Sequence, residues 1–242
     1  IREVAGGVEA SVTGVILSAA AAIGLCGLVG AFTGGMVTIF RMPPFIVTLA
    51  MMLVGRGLAQ RISGAQTISE MPEGFTWLGR DASLLGIPNS ALLMLILFGI
   101  AHVILSRTKF GRYVYAVGGN EEAARLSGVP VHWITLSVYT ISGLLAGLGG
   151  VMMASQLGTG SHTYAVMYEL HVIAAVVVGG ASLSGGIGRI PGTLIGAFVI
   201  AVIQNGMNLV GLQEAWQLMV MGMVILVAVL LDQMKSYIFS VR

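Results

Sequence analysis

Charged side chains are scarce in this chain. Its 242 residues include 12 Lys or Arg and 10 Asp or Glu, or 9%, whereas about a quarter is usual in a soluble domain. Hydrophobic residues make up 56% of the chain, and the mean hydropathy is +0.93. So little polar surface cannot cover a water-soluble globule, and the composition predicts a polytopic protein of the lipid bilayer. The net charge of +2 indicates no polyanionic partner such as nucleic acid.

Cysteine and the common catalytic motifs are also nearly missing. Cys26 is the single cysteine, which excludes an intrachain disulfide and a cysteine metal site and indicates a packing role. No P-loop of the form G-x-x-x-x-G-K-[ST] occurs, so we do not expect this chain to bind ATP. The run GASLS has Ser184 where the nucleophile elbow G-x-S-x-G requires glycine, so a serine enzyme at Ser182 or Ser184 is kept only as an alternative. We therefore expect no catalytic residue, no metal site and no cofactor in this chain.

Long apolar runs are present instead, and a membrane-spanning helix needs about 20 such residues. Qualifying runs predict spans at 19–40, 44–62, 89–105, 132–156, 193–209 and 215–231. The run HVIAAVVVGG, at 171–180, is short for a crossing, so we expect a broken or re-entrant helix near 160–190. The pattern predicts an all-α bundle of about eight spans in a single domain, 1–242. Several of these spans contain no charged residue, which argues against a proton-driven pump.

The remaining basic residues are unevenly distributed between the spans. The segment 107–131 contains Arg107, Lys109, Arg112 and Arg125, whereas the segment 63–88 contains only Arg80. The positive-inside rule therefore predicts a cytoplasmic loop at 107–131 and an external loop at 63–88. Counting crossings outward from these loops, with 170–184 taken as one crossing, places three further basic residues on the cytoplasmic side, namely Arg41, Lys235 and Arg242.

A short helix is predicted within the cytoplasmic segment. Gly118 and Gly119 allow a sharp turn, and the Asn120 side chain can cap a helix that begins at Glu121. Two turns of helix are too few to be stable alone in water. The helix is therefore expected to rest on the rest of the chain or on a partner.

The charges of this helix are ordered along its axis. Glu121 and Glu122 suit the positive N-terminal end, Arg125 is spaced to pair with Glu121, and Gly128 ends the helix. A charged helix between two spans can dock on a soluble partner. An ordinary solvated loop would explain the same charges, and these residues alone leave both interpretations open.

Uncharged amide side chains lie inside one predicted span. Gln204 and Asn208 are four residues apart and share a helix face, with Asn205 beside them. Each amide both donates and accepts hydrogen bonds, which suits a hydroxyl-rich solute. Hydrogen bonds between helices would use the same groups, and Ser155 has the same two interpretations.

Glycine residues recur at four-residue spacing on the predicted spans. Small residues at this spacing let two helices approach closely. The contact could lie within one subunit or between two copies of the chain. The pairs are Gly30 and Gly34, Gly143 and Gly147, Gly188 and Gly192, and Gly192 and Gly196.

The run RTKFGRYVYAVGGNEEAARLSGV closely resembles the cytoplasmic loop of the permease subunits of ribose-type ABC sugar importers. The likeness continues through RMPPFIVTLAMMLVGRGLA, SGLLAGLGGVMMASQLG, YELHVIAAVVVGGASLSGGIGRIPGTLIGA and QNGMNLVGL. It covers about 41–232, in order and without large gaps. The motifs are collectively specific to that family.

The resemblance implies a fold of about ten membrane helices in each of two permease subunits, in the bacterial inner membrane. It implies cytoplasmic ABC ATP-binding subunits that carry ATP and Mg²⁺, and a periplasmic sugar-binding protein. The permease itself would hydrolyse nothing. By resemblance, a coupling helix docks in the ATPase through Asn120, Glu121, Glu122, Ala123, Arg125, Leu126 and Gly128.

The chain departs from the family near its start. The family has GGIDLSVGS after two earlier spans, whereas this chain has GGVEASVTG from Gly6 to Gly14, with Glu9 where the family has Asp. We expect either a shortened chain or further residues before Ile1.

The resulting hypothesis is a permease that moves a monosaccharide, a ribose-like pentose or a related sugar, by alternating access. The expected pathway is lined partly by Gln204, Asn205, Asn208, Ser182 and Ser184. A stand-alone channel or an ion-coupled secondary carrier for a small polar solute is the alternative. The identity of the sugar, and whether the second permease is a copy of this chain, stay open.

Overall fold

A computed structural model describes residues 11–69, 71–84 and 86–240 of the protein. Within these ranges the helices are α1 Val12–Ile39, α2 Pro44–Ile62, α3 Glu73–Arg80, α4 Asn89–Arg107, α5 Lys109–Gly119, α6 Glu121–Leu126, α7 Val131–Leu157, α8 Tyr168–Val178, α9 Ile190–Leu209 and α10 Glu214–Ser240. Strands β1 Ala82–Leu84 and β2 Ile87–Pro88 pair antiparallel. Glu9 and most of the GGVEASVTG run, like Arg242, lie outside the described residues.

Six of the described helices are long and apolar enough to cross a membrane, namely α1, α2, α4, α7, α9 and α10. They correspond to the six predicted long spans, although α1 begins at Val12, earlier than the predicted boundary. Proline occupies the first position of α2, Pro44, where no intrahelical hydrogen bond is lost. The predicted count of about eight spans is not confirmed by the described residues.

The short apolar helix α8 occupies the region where a broken helix was expected. Its 11 residues extend about 17 Å, well short of a hydrocarbon core of about 30 Å. Taking 170–184 as one crossing is not supported by the described residues, because α8 ends at Val178. Gly180, Gly185 and Gly186 then have φ values of 87°, 88° and 73°, which favour glycine and reverse the chain.

The chain divides into two compact units, 1–96 with 130–164, and 97–129 with 165–242. In the first unit, α1 packs on α7 through glycines. A Cβ atom placed on Gly30 would lie 3.1 Å from the Cα of Gly143 and would overlap the carbonyl oxygen of Tyr139. A Cβ atom on Gly147 would lie 2.8 Å from the Cβ of Cys26. These glycines therefore serve packing within one chain, which was the first of the two interpretations.

The segment 63–88 is ordered against the C-terminal end of α7, also within the first unit. The Ser155 hydroxyl, fully buried, donates to the Phe75 carbonyl oxygen at 2.6 Å and accepts from the Gly79 N–H at 2.8 Å. The Arg80 guanidinium donates to the carbonyl oxygens of Gln156 and Leu157. Ser155 thus joins two helices, and the external location of 63–88 stays a prediction.

Ser155→Ala should destabilise the first unit because it leaves the Phe75 carbonyl and the Gly79 N–H buried without their shared partner. The expected cost is about 1–3 kcal/mol, or roughly 2–4 °C in Tm for each kcal/mol. Ser137→Ala is the control, since the Ser137 hydroxyl only donates to a carbonyl of its own helix. Equal Tm values for the two variants in a detergent unfolding assay would contradict this assignment.

In the second unit, α8 packs on both α9 and α10. Gly196 on α9 faces α8 so closely that a Cβ atom there would overlap the carbonyl oxygen of Ala175. Gly192 similarly lies against the carbonyl oxygen of Gly179, so the spacing of Gly192 and Gly196 is also a contact within the chain. The buried core of this unit consists of Ala174, Ala175, Ile200, Met207 and Met221.

Candidate functional site

Helices α5 and α6 are joined by one residue, Asn120, whose backbone is extended at φ −157° and ψ 104°. Its side-chain oxygen accepts a hydrogen bond from the Ala123 N–H at 2.9 Å, so the predicted cap is present. Glu121 and Glu122 follow in the first turn. The Gly128 N–H bonds to the Arg125 carbonyl, with Gly128 at φ 81°, as a left-handed helix end requires.

Two details of this segment differ from the predictions. Gly118 and Gly119 form the last turn of α5, and the chain bends at Asn120 instead. Both glycines lie against Gly185 and Gly186, and a Cβ atom would clash at Gly118, Gly185 or Gly186 but not at Gly119.

Arg125 pairs with Glu122 and not with Glu121. Its guanidinium donates to both Glu122 carboxylate oxygens, at 2.8 and 2.7 Å. Residues three and four apart are both neighbours on a helix, so spacing alone could not choose between the two glutamates.

Helix α6 rests on its own chain and presents a polar face with one apolar group. Ala124 is buried, whereas the Glu122 and Arg125 side chains are more than half exposed. Leu126 is 80% exposed, which is unusual for a leucine on a charged helix outside the spans. The arrangement offers a partner a preformed set of two charges beside an apolar side chain.

A cavity of about 1310 Å³ lies within the second unit, between α8, α9 and α10. Ser182 and Ser184 line it, as does Asp232 near the end of α10. The other lining groups are largely apolar and include Val177, Val199, Trp216, Met219, Met223 and Val227. Space of this size accommodates a small solute, although most of its wall offers no hydrogen bond.

Asp232 was missed at the level of sequence. Its carboxylate accepts from the Ser182 hydroxyl at 3.2 Å and from the Leu183 N–H at 3.1 Å. The Ser182 hydroxyl in turn accepts from the Ser184 N–H at 3.2 Å. The available signal was a lone acid directly after an apolar run, a position where charge usually has a function.

The family model for "Branched-chain amino acid transport system / permease component" matches residues 4–229. The chain belongs to this permease family. Membership makes it a transport subunit and, with the six long apolar helices among its described residues, a multi-pass membrane protein.

Individual relatives of this permease carry sugar names. It is 42% identical to the ribose import permease protein RbsC of Escherichia coli K12 over 239 residues, 96% of this chain and 74% of that protein. It is 47% identical to RbsC of Bacillus subtilis 168 over 205 residues, 84% of this chain and 63% of that protein. The L-arabinose ABC transporter permease protein AraH of Azospirillum brasilense is 39% identical over 221 residues, 91% of this chain and 65% of that protein. The resemblance inferred from the motifs is thus confirmed, while no solved structure gives a significant match.

The three amides of the permease's α9 do not border the cavity of Ser182 and Ser184. Asn208 accepts a hydrogen bond from the Gln217 side-chain N–H at 3.0 Å, and the same group donates to the Leu212 carbonyl. Asn208 therefore joins α9 to α10, in agreement with the interhelical interpretation. Gln204 is half-buried and Asn205 exposed, and their place in a pathway stays a prediction.

The described part of the permease contains no group of three His, Cys, Asp or Glu side chains that could hold a metal ion. Asp232 instead bonds to serine and to backbone. The chemistry that these residues offer is hydrogen bonding and the positioning of a loop.

Proposed function

We propose that this permease is the membrane-spanning subunit of an ATP-driven importer of a monosaccharide in the bacterial inner membrane. ATP and Mg²⁺ would be held by ABC ATP-binding subunits, because the chain has no P-loop. A periplasmic sugar-binding protein would deliver the solute, and a second permease would complete the pathway. The observation that carries the proposal is α6, a capped and charged helix with Leu126 exposed.

The sugar class is supported by the relatives' names, which specify ribose and arabinose import. The family description instead mentions branched-chain amino acids, which are zwitterions. Ser184 offers a neutral hydroxyl at the cavity, where the Ser182 hydroxyl is bonded to Asp232, and Gln204 and Asn205 offer neutral amides on α9. Neutral donors and acceptors suit a polyhydroxylated solute better than a zwitterion.

Alternating access would then use α6 as the contact through which the ATPase moves the permease. In this hypothesis Asn120 fixes the start of the helix, and Gly128 its end. Glu121, Glu122, Ala123, Arg125 and Leu126 form the docking surface. Each conformational state would open the cavity to one side of the membrane.

Reversing the charge of Glu121 and Glu122 together should weaken ATPase association and ATP-dependent uptake by at least about tenfold, since two charge contacts become repulsive. Association is measured by co-purification, and uptake of labelled ribose and arabinose in proteoliposomes. Glu214→Lys is the control, because Glu214 also lies in the first turn of an exposed helix end. Undiminished association and uptake in the double variant would refute the docking role.

Leu126→Ala separates docking from folding of α6. Alanine favours helix more than leucine does, and the Leu126 side chain is mostly exposed, so α6 itself should persist. The expected result is weaker ATPase association at unchanged Tm. Uptake by the permease without an ATPase would instead support the stand-alone channel or ion-coupled carrier, and uptake of leucine in place of sugar would contradict the substrate class.

A further inference from the structure

The loop 179–189, between α8 and α9, is held at its cavity side by Asp232. The Asp232 carboxylate accepts from the Ser182 hydroxyl and from the Leu183 N–H, and both donors belong to the loop. The Ser182 N–H also bonds to the Ile187 carbonyl, which closes the loop on itself. The two cavity-lining serines therefore move with this loop.

The other side of the loop touches α5. The Tyr115 hydroxyl donates to the Gly188 carbonyl oxygen at 2.9 Å. A Cβ atom on Gly118 would lie 2.9 Å from the Gly186 nitrogen, and one on Gly186 would lie 2.7 Å from the Gly119 Cα. Backbone lies directly on backbone here, so no flexible side chain can absorb a shift of α5.

Helix α5 is in turn joined to α6 by Asn120 alone. A displacement of α6 is therefore passed to the C-terminal turn of α5, and from there to the loop that carries Ser182 and Ser184. Every step of this sequence is a covalent joint or a direct contact within the second unit.

We propose that loop 179–189 transmits the movement of the coupling helix to the transport cavity, and that Asp232 is the positioning residue that holds this loop. The inference rests on the proposed function, in which α6 docks on the ATPase. Asp232 acts through Ser182 and the Leu183 N–H, and no contact with the sugar is assigned to it.

Gly118→Ala and Gly119→Ala form a matched pair at neighbouring positions of α5. The added methyl group at 118 meets the Gly186 backbone, whereas the nearest atom to a Cβ at 119 is 3.9 Å away. In the complete transporter in proteoliposomes, with ATPase and binding protein, sugar moved per ATP hydrolysed should fall at least fivefold in Gly118→Ala. ATPase association and hydrolysis should stay within twofold, and Gly119→Ala should match the natural protein. Equal transport per ATP in the two variants would overturn the proposal.

Asp232→Ala should uncouple hydrolysis from uptake in the same way. Among the described residues it removes the one side chain that accepts hydrogen bonds from both the Ser182 hydroxyl and the Leu183 N–H. Asp232→Asn keeps an oxygen that can accept and should restore at least half of the transport per ATP. If asparagine were as defective as alanine at equal Tm, the positioning role would be wrong. Tyr115→Phe is a milder third variant, which should lower the sugar moved per ATP hydrolysed without loss of folding. If Tyr115→Phe and Gly118→Ala both moved as much sugar per ATP as the natural protein, the proposal that loop 179–189 transmits the movement would be refuted.

The two proposals fail in different ways. If the proposed function is wrong, the natural permease will bind no ATPase at all. Failure of the transmission alone would appear as a complex that forms, hydrolyses ATP and transports equally well with Gly118→Ala or Asp232→Ala.

Discussion

Leucine in place of Gly143 is expected to separate α1 from α7 and to lower the free energy of unfolding by on the order of 3 kcal/mol. A Cβ atom at this position would overlap the Cys26 carbonyl oxygen and lie 3.1 Å from the Gly30 Cα. The obstacle is backbone on the facing helix, so rotamer changes cannot relieve it. At roughly 2–4 °C for each kcal/mol, Tm should fall by about 6–12 °C.

The single cysteine makes this prediction directly measurable. Cys26 lies on α1 in the contact with α7, where a Cβ on Gly147 would be 3.2 Å from its sulfur. A fluorogenic maleimide therefore reports separation of these two helices during heating. Gly149→Leu is the matched control, because no atom lies within 4 Å of a Cβ there, on the same helix. Equal midpoint temperatures of Cys26 labelling in the two variants would show that the α1–α7 contact is looser than described.

Alanine in place of Gly196 is expected to disrupt the second unit and to abolish transport. The added methyl group would overlap the Ala175 carbonyl oxygen and lie 2.7 Å from the Gly179 nitrogen. These two groups are hydrogen-bonded to each other at 2.9 Å at the end of α8, so the added methyl group would disrupt the hydrogen bond that ends this helix. A cost of about 1–3 kcal/mol should follow, together with displacement of the loop that begins at Gly179.

Gly206→Ala is the control for this substitution, since nothing lies within 4 Å of a Cβ on Gly206, also on α9. Trp216 is the only tryptophan in the second unit, so its fluorescence reports unfolding there once Trp77 and Trp133 are replaced by phenylalanine. We expect a lower Tm and lost uptake for Gly196→Ala and natural values for Gly206→Ala. Full uptake by Gly196→Ala would mean that α8 and α9 do not need this close approach.

Features that depend on neighbouring residues were predicted well. Long apolar runs indicated the long helices, and the Asn120 cap followed from its position before two glutamates. The chemistry that decides each of these lies within one helical turn.

Features that depend on distant residues were missed or misread. Gly118 was interpreted as a turn residue because glycine also serves turns, whereas its actual partner is Gly186. Asp232 and Ser182 are 50 residues apart, and Ser155 and Phe75 are 80 apart. No periodicity within a segment can indicate which distant backbone will lie against it, so helix α3 and the Asp232 contact needed the structure.

The single-residue corner at Asn120 has a practical consequence for subunit exchange. An α-helix turns by about 100° for each residue, so one residue added in helical conformation before Glu121 would rotate the Glu122–Arg125 pair away from its original direction. A docking ATPase would then contact a different face of α6. Two importers could therefore exchange ATPase subunits only where the connection between α5 and α6 has equal length, even if the sequences of their α6 helices were identical.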